Sequence, residues 1–431
     1  MKVKQGHKIW TRFGMSRREF LRYFGIATGA ITLSPFFVDR FSRVLAAPTV
    51  KVYLVKNGDC FQNIAKLWDM LGGPSRYIGP DDIVVVKGNG QWPKQGYTHT
   101  GCIKAVIDNI LNIQDFSGEI YICDDVQECG GPWGFTATGS WAREHNWPDH
   151  NWTTLAQEYQ ASGKPVAPKQ WLNSESDIGG PEDGEGWIRD YFPFHGLDTF
   201  LSYPVFESPL TAGRMIDMQN GVWEDGNYTG RKVKAIFMPT LNNHGNGAED
   251  YAGVTSALKS FFGTSEIHTC SGGFFRGYAD IHKSSYSRGR ADYAGELAAR
   301  YIGTMYAPLL YIAAAIWSGW ESRTGAAAET KTVLACENPA TLDYVASKYV
   351  ISPYASWLDP DQDNNTRKQI LGCITGGVGT IDPAEFEIIE FDFENPTVNR
   401  LDIDRKIKDL KGGNATVQEV KDMINEYMET P

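Results

Sequence analysis

No Cys-x-x-Cys pair occurs in the 431 residues. That removes the ferredoxin-type cluster and the zinc ribbon, both of which such pairs encode locally. There is also no G-x-x-x-x-G-K-[ST] phosphate loop and no G-x-S-x-G elbow, and the glycine-rich stretches SGGFFRG (271–277) and GGVG (376–379) do not form G-x-G-x-x-G after a strand. The local signatures of nucleotide, dinucleotide and serine-hydrolase chemistry are therefore missing. The apolar run FGIATGAITLSPFFV has 15 residues, contains Gly and Pro, and falls short of the ~20 needed to span a bilayer. Basic residues are scarce beyond position 46, where 32 Lys and Arg face 50 Asp and Glu for a net −18. A nucleic acid or an anionic membrane surface would require a basic footprint, so neither is an expected partner. No fixed-period repeat or low-complexity tract is present.

The first 46 residues differ in kind. Nine basic residues there face only Glu19 and Asp39, a net +7, and SRREFLR (16–22) precedes the apolar run and a small-residue VLAAP (44–48). The segment resembles a twin-arginine export signal with cleavage after Ala46, which implies a periplasmic or extracellular protein, with membrane contact only through an uncleaved signal. Export of folded chains by this route raises the expectation of a bound metal or cofactor without naming one. Seven cysteines follow the signal, an odd number, and Cys123 and Cys129 could close a short loop.

The remaining pattern alternates strands and helices. KVYLVK (51–56), DIVVVKGN (82–89), EIYICDD (119–125), VKAIFM (233–238), LLYIAAAIW (309–317) and KTVLACEN (331–338) read as buried strands. CIKAVIDNIL (102–111), YAGVTSALKSFF (251–262) and ATLDYVASKYV (340–350) read as helices. The fold expected is α/β, a mainly parallel or mixed sheet flanked by helices, over residues 47–395. A loop-rich insertion is expected at about 131–200, holding six of the 13 tryptophans: Trp133, Trp141, Trp147, Trp152, Trp171 and Trp187. Residues 396–431 read as a helical hairpin, the second helix opened by Thr416 and Glu419 in capping-box spacing, and available for a protein partner.

Open α/β sheets place ligands at the carboxyl ends of their strands. Lys87 and Asn89 stand at one such end, and Thr98, His99 and Thr100 precede a helix whose N-terminus would favour an anion. The pair Asp124 and Asp125 ends another strand, where adjacent carboxylates can hold a metal or divide acid and base roles. MPTLNNHGNG (238–247) puts His244 in a polar loop after a third strand, where an imidazole can ligate a metal or shuttle a proton. His244 and Asp124 are the expected ligands of a divalent metal.

AIFMPTLNNHGNGAEDYAGVTSALKSFFG (235–263), IVVVKGNG with THTGCIKAVIDNIL, and TVLACENPATLDYVASKYV together resemble, in order, the blocks of the DUF362 family (domain of unknown function 362), covering about residues 50–395. The resemblance marks Lys87, Asn89, His244, Lys259 and Asp343, and supplies positions rather than a reaction. It also exposes departures: Asn242 stands where the family has Lys, Ser260 where it has Asn, and Ala314 where it has an acid. If 251–262 is helical, Lys259 lies some turns beyond His244 and points away from its loop.

Lesser candidates are His268 with Cys270, His145 with Asp149 and His150, and Asp280 with His282. Asp359, Asp361 and Asp363 start like a calcium loop, but Asn364 and Ile370 occupy the positions that need Gly and Glu, so that reading is rejected. Three functions follow. The first is a metal- or cofactor-dependent enzyme acting on a small anion, with His244, Asp124 and Lys87 catalytic and Asn89, His99, Thr100, Lys259 and Asp343 binding. The second is an exported binder of an anion or carbohydrate, and the third a non-catalytic docking protein.

Overall fold

The computed structural model describes residues 50–125, 131–171, 186–194, 197–245, 247, 252–264, 291–396, 406, 410 and 414–429, all within the compact unit Val50–Pro431. Its centre is an eight-stranded sheet. In chain order these strands are β1 (Val50–Lys56), β2 (Ile83–Gly88), β3 (Glu119–Asp125), β4 (Val166–Trp171), then β10 (Val233–Met238), β13 (Leu310–Ser318), β14 (Ala328–Cys336) and β15 (Phe386–Asp392). Across the sheet the order is β15-β1-β14-β13-β10-β2-β3-β4. Every neighbouring pair is parallel except those involving β14, which runs against the rest.

Burial on both faces explains the strand composition. Ile83, Val84, Val85 and Val86 of β2 are all fully buried. Their alternation sends Ile83 and Val85 into one core and Val84 and Val86 into the other. The second core is closed by α1 (Cys60–Leu71), α2 (Thr100–Leu111) and α3 (Trp152–Ala161) through Leu67, Trp68, Ile103, Ile107 and Trp152. Asp59 caps α1 in a reciprocal box with Gln62, and Gly72 ends it at φ 89°. The first core is closed by α4 (Asp292–Thr304), α5 (Pro339–Ala346) and α6 (Asn365–Thr375) through Leu297, Leu342 and Ile370. Asn364 caps α6 from the segment that resembled a calcium loop, and Asp361 there binds Lys348 at 2.6 Å.

Two readings of the chain need correction. The tryptophan-rich stretch is not a loop insertion throughout, because α3 and β4 belong to the main sheet and its cover. What departs from that sheet is an antiparallel meander of β5 (Gly186–Phe194), β6 (Leu197–Glu207), β7 (Met215–Asp217), β8 (Gly221–Glu224) and β9 (Asn227–Tyr228). The stretch 251–262 is not an α-helix either. A small hairpin of β11 (Asn242–Asn243) and β12 (Val254–Thr255) is followed by a 3-10 segment, Leu258–Thr264. The apolar spacing fitted a helix, but Gly253 takes φ +67° and Val254 pairs with Asn243, which turns the chain back before any helix begins. Of the C-terminal hairpin, α7 (Val417–Glu429) is present with the expected Thr416 and Glu419 contacts. Its expected partner helix, like residues 1–46, lies largely outside the described residues.

Helices α4 and α6 touch through glycines. A side chain begun at Gly295 would lie 1.8 Å from the Gln369 carbonyl oxygen, and one at Gly372 would lie 2.1 Å from that of Asp292. Gly303, also in α4, has open space around it. Gly295→Ala should therefore cost about 3 kcal/mol of stability through forced separation of the helices, whereas Gly303→Ala should be neutral or gain up to about 1 kcal/mol. Urea unfolding midpoints of the two variants measure this; equal effects would refute the close packing.

Candidate functional site

Between β2 and β10 the sheet reverses its order of growth, strands β3 and β4 following on one side and β13 on the other. Such a switch point leaves a crevice beyond the carboxyl ends of the strands. Here the crevice is lined by Lys87, Asn89, Asp124, His244 and Lys259, all expected, together with Trp92, Asp125, Asn242, Thr255, Gly263 and Arg323 among others.

At its floor Lys87 Nζ lies 3.0 Å from Asp124 Oδ1, with both side chains buried. Gly90 N–H donates to Asp124 Oδ2 at 2.6 Å. Burial pushes the Asp124 carboxyl above its ordinary pKa, against the Lys87 ammonium and the Gly90 N–H, which hold it down. Glycine is required directly above. A side chain begun at Gly263 would fall 2.4 Å from Asp124 Oδ1 and 2.6 Å from Lys87 Nζ, so only glycine lets the 3-10 segment close over the pair. The strand ends are tied together by Thr98: its hydroxyl donates to the Met238 carbonyl and accepts from Asn89 N–H at 2.8 Å.

One wall carries the histidine. Its Nδ1 is 2.8 Å from Thr255 Oγ1, and its backbone N–H donates to Gly253 O at 3.0 Å, so the β11–β12 hairpin fixes the ring. Nε2 stands 3.5 Å from an Arg323 guanidinium nitrogen. Arg323 in turn stacks over Trp92, 4.3 Å from the ring centre. Lys259 belongs to the same pocket, contrary to the expectation that it points away. Because the chain doubles back at Gly253, its ammonium reaches the Ala252 carbonyl.

Two expected ligand residues and one family position serve other ends. Thr100 N–H is taken by Asn146 Oδ1 at 2.9 Å, which caps α2 at that amide. His99 lies beside Cys60 and Gly101, away from the crevice. Asp343, fully buried in α5, accepts from Ala257 N–H at 2.7 Å and Leu258 N–H at 3.1 Å, so it caps the 3-10 segment instead of touching a ligand. Ser260, one of the departures, contacts Asn89 Oδ1 at 3.4 Å, and Ala314 is buried in the apolar core where an acid would find no partner.

His244 and Asp124 share the pocket, but among the described residues no group of three or more His, Cys, Asp and Glu is placed to hold a metal. Asp124 is committed to an ammonium and an amide, and His244 faces a guanidinium, so a divalent ion would have to displace cations already present. His145 stacks on Trp317 and His150 on Trp147, which separates the HNWPDHNW pair into two packing contacts. Cys123 is a buried free thiol, and Cys129, His268, Cys270, Asp280 and His282 lie outside the described residues. Trp152 and Trp171 are buried and Trp141 is exposed, so the tryptophan cluster is mainly packing and not one aromatic platform.

Sequence reasoning missed Arg323 and Trp92. Arg323 lies in the loop after β13, another strand end on the same edge, and the rule that picked out Lys87 would have found it had that loop been searched. No protein-family model matches the chain, and neither does any curated protein or solved structure.

Burial raises the Asp343 carboxyl to about 6 from an ordinary 3.8. The folded state thus holds this proton more tightly than the unfolded chain. The stabilisation it brings is complete below about pH 4 and is lost as pH rises through 6, an effect of about 3 kcal/mol. The stability difference between the wild type and Asp343→Asn, from urea unfolding at pH 4 and pH 7, should shrink by about that amount at pH 7. A difference independent of pH would contradict this.

Proposed function

We propose that the chain is an enzyme acting on a small anionic substrate, with the Lys87 and Asp124 pair transferring a proton. One observation carries this reading: in a chain of net charge −11, the switch-point pocket is lined by three fixed cations, Lys87, Lys259 and Arg323, and an imidazole against two carboxylates among the described residues. A cationic crevice on an acidic molecule concentrates anions. Its free volume of about 60 Å³ holds roughly four waters, the size of a phosphate or a carboxylate head with the rest of the substrate extending past Trp92.

The roles follow from the chemistry. Arg323, held over the Trp92 ring, offers a planar fork suited to a carboxylate or phosphate. Lys259 supplies a second donor, and His244, fixed by Thr255, presents Nε2 beside the guanidinium. Lys87 and Asp124 are shielded from water, so a proton shared between them costs little solvent reorganisation to move. A divalent metal or cofactor remains part of the broader expectation only through the export signal, and residues 1–46 support a periplasmic or extracellular location by their charge and apolar pattern. A binding protein without turnover would use the same Arg323 and Lys259.

Thermal melting in rising inorganic phosphate or succinate tests the reading. Saturable stabilisation is expected for the wild type. Arg323→Ala should weaken it about 10- to 100-fold, the worth of a charged hydrogen bond of about 1.5–3 kcal/mol. Absence of saturable stabilisation by either anion, or an unchanged response in Arg323→Ala, would overturn it.

A further inference from the structure

An anionic head in the pocket leaves the rest of its molecule to pass Trp92, and one loop fixes what it meets there. Gln91 and Trp92 line the pocket, and the same loop supplies Lys94 two residues later. The Cα atoms of Trp92 and Lys94 lie within about 7.5 Å of one another. Residues 131–146 are tied to this loop at three points: Gly131 N–H donates to Gln91 O at 3.1 Å, Gly134 N–H to Gly90 O at 2.8 Å, and the Asn146 side-chain amide to Tyr97 O at 3.1 Å. The segment is therefore an extension of the pocket wall.

One tryptophan of that segment faces water. Trp141 is 59% exposed, whereas Trp152 and Trp171 are buried. It is held in place all the same, since Trp133 meets it in a T-shaped contact at 5.9 Å and Lys94 Nζ lies 5.6 Å from its ring centre. Its flank is polar. Lys94 Nζ pairs with Glu144 Oε2 at 2.6 Å, and Glu144 stands one turn after Trp141, its N–H donating to the Trp141 carbonyl at 3.4 Å.

The backbone is bent to make this patch. Lys94 and His145 both adopt φ 61°, a left-handed conformation that such side chains rarely take and that gathers at ligand-binding loops. The buried Gln95 amide then joins the patch to the guanidinium of the pocket: its Oε1 lies 3.0 Å from His145 Nδ1, and its Nε2 donates to Gly325 O at 2.9 Å and Ser322 O at 3.3 Å, on either side of Arg323. The aromatic patch and the anion pocket share one anchor.

We infer, resting on the anion pocket proposed above, that the substrate is an acidic oligosaccharide whose uronate carboxylate enters the pocket while a neighbouring pyranose ring lies on Trp141. A pyranose offers an apolar C–H face to an aromatic plane and hydroxyls around its rim, which suits a ring flanked by placed polar groups. Lys94 donates to one such hydroxyl and Glu144 accepts from another. A lipid or aromatic tail would also cover the ring, but it would set both charged groups against apolar surface, at a cost in free energy. Arg323 selects uronates over neutral sugars, and Trp141 selects chains over single residues.

Calorimetric titration with trigalacturonate, galacturonate and succinate separates the two sites, with 4-phenylbutyrate as an aromatic acid for comparison. Wild-type protein should bind the trimer about 5- to 10-fold more tightly than the monomer, the worth of one aromatic contact. In Trp141→Ala this ratio should fall to near unity with succinate binding kept, whereas Arg323→Ala should weaken all three acids. With succinate still bound, a trimer-to-monomer ratio near unity in the wild type, a ratio unchanged in Trp141→Ala, or tighter binding of 4-phenylbutyrate than of the trimer would each overturn the sugar subsite and spare the pocket. Failure of both succinate and galacturonate to bind would overturn the pocket itself, and the inference with it. Should Trp141→Ala fail to fold, the wild-type ratio and the 4-phenylbutyrate comparison decide alone.

Discussion

The carboxyl edge of the sheet is organised around one buried ion pair, Lys87 with Asp124. Removing two charges from water costs several kcal/mol per ion, and their attraction offsets this only where geometry and further hydrogen bonds are good. The structure meets both conditions with backbone. Register places Lys87 opposite Cys123, next to Asp124, so adjacent parallel strands deliver the two side chains side by side. Gly90 returns its N–H to the carboxylate, and Gly263 brings the 3-10 segment close enough to shut out water. The loop after β2 and the segment after β12 are each shaped by what that pair demands, and both become walls of the pocket.

The same constraint gives the pocket its electrostatic character. A chain dominated by acid could neutralise buried cations locally, and at the floor it does. Higher up, His244, Lys259 and Arg323 gather from three separate connections onto one rim. Each touches a neutral group there: a carbonyl for Lys259, an aromatic face for Arg323, a hydroxyl for the imidazole. Interactions of this kind orient a polar head group within the pocket.

Strand ends were readable because burial on two faces leaves a strong apolar run that stops abruptly, and the rule linking such stops to ligand sites needs no further geometry. Lys87, Asn89, Asp124 and His244 were found in this way. Residues 251–262 were misread because apolar spacing alone cannot register a left-handed glycine or a distant acceptor. Gly253 and the Asp343 carboxylate, 86 positions from Ala257 in sequence, decide that segment. Asp343 illustrates the converse. It was singled out as a ligand residue, yet its chemistry is spent on two backbone amides. His99 and Thr100 failed for a related reason, since a helix N-terminus attracts an anion only while its N–H groups are open, and Asn146, reached through tertiary structure, had already taken one.

Asn242 anchors the loops on which His244 and Arg323 meet. A lysine there would bring a cation to the pocket but would lack the acceptor that Asn242 Oδ1 provides to Gly319 N–H at 3.0 Å. The side chain's amide also donates to Gln95 O at 3.1 Å and Thr240 Oγ1 at 2.9 Å, joining three loops beneath the rim. His244 has a neighbouring guanidinium in this structure, because Arg323, delivered by the loop that Asn242 anchors at Gly319, stands 3.5 Å from the imidazole. An asparagine at this strand end therefore serves the site through its hydrogen bonds, while the charge beside the histidine comes as a planar guanidinium from the next strand end.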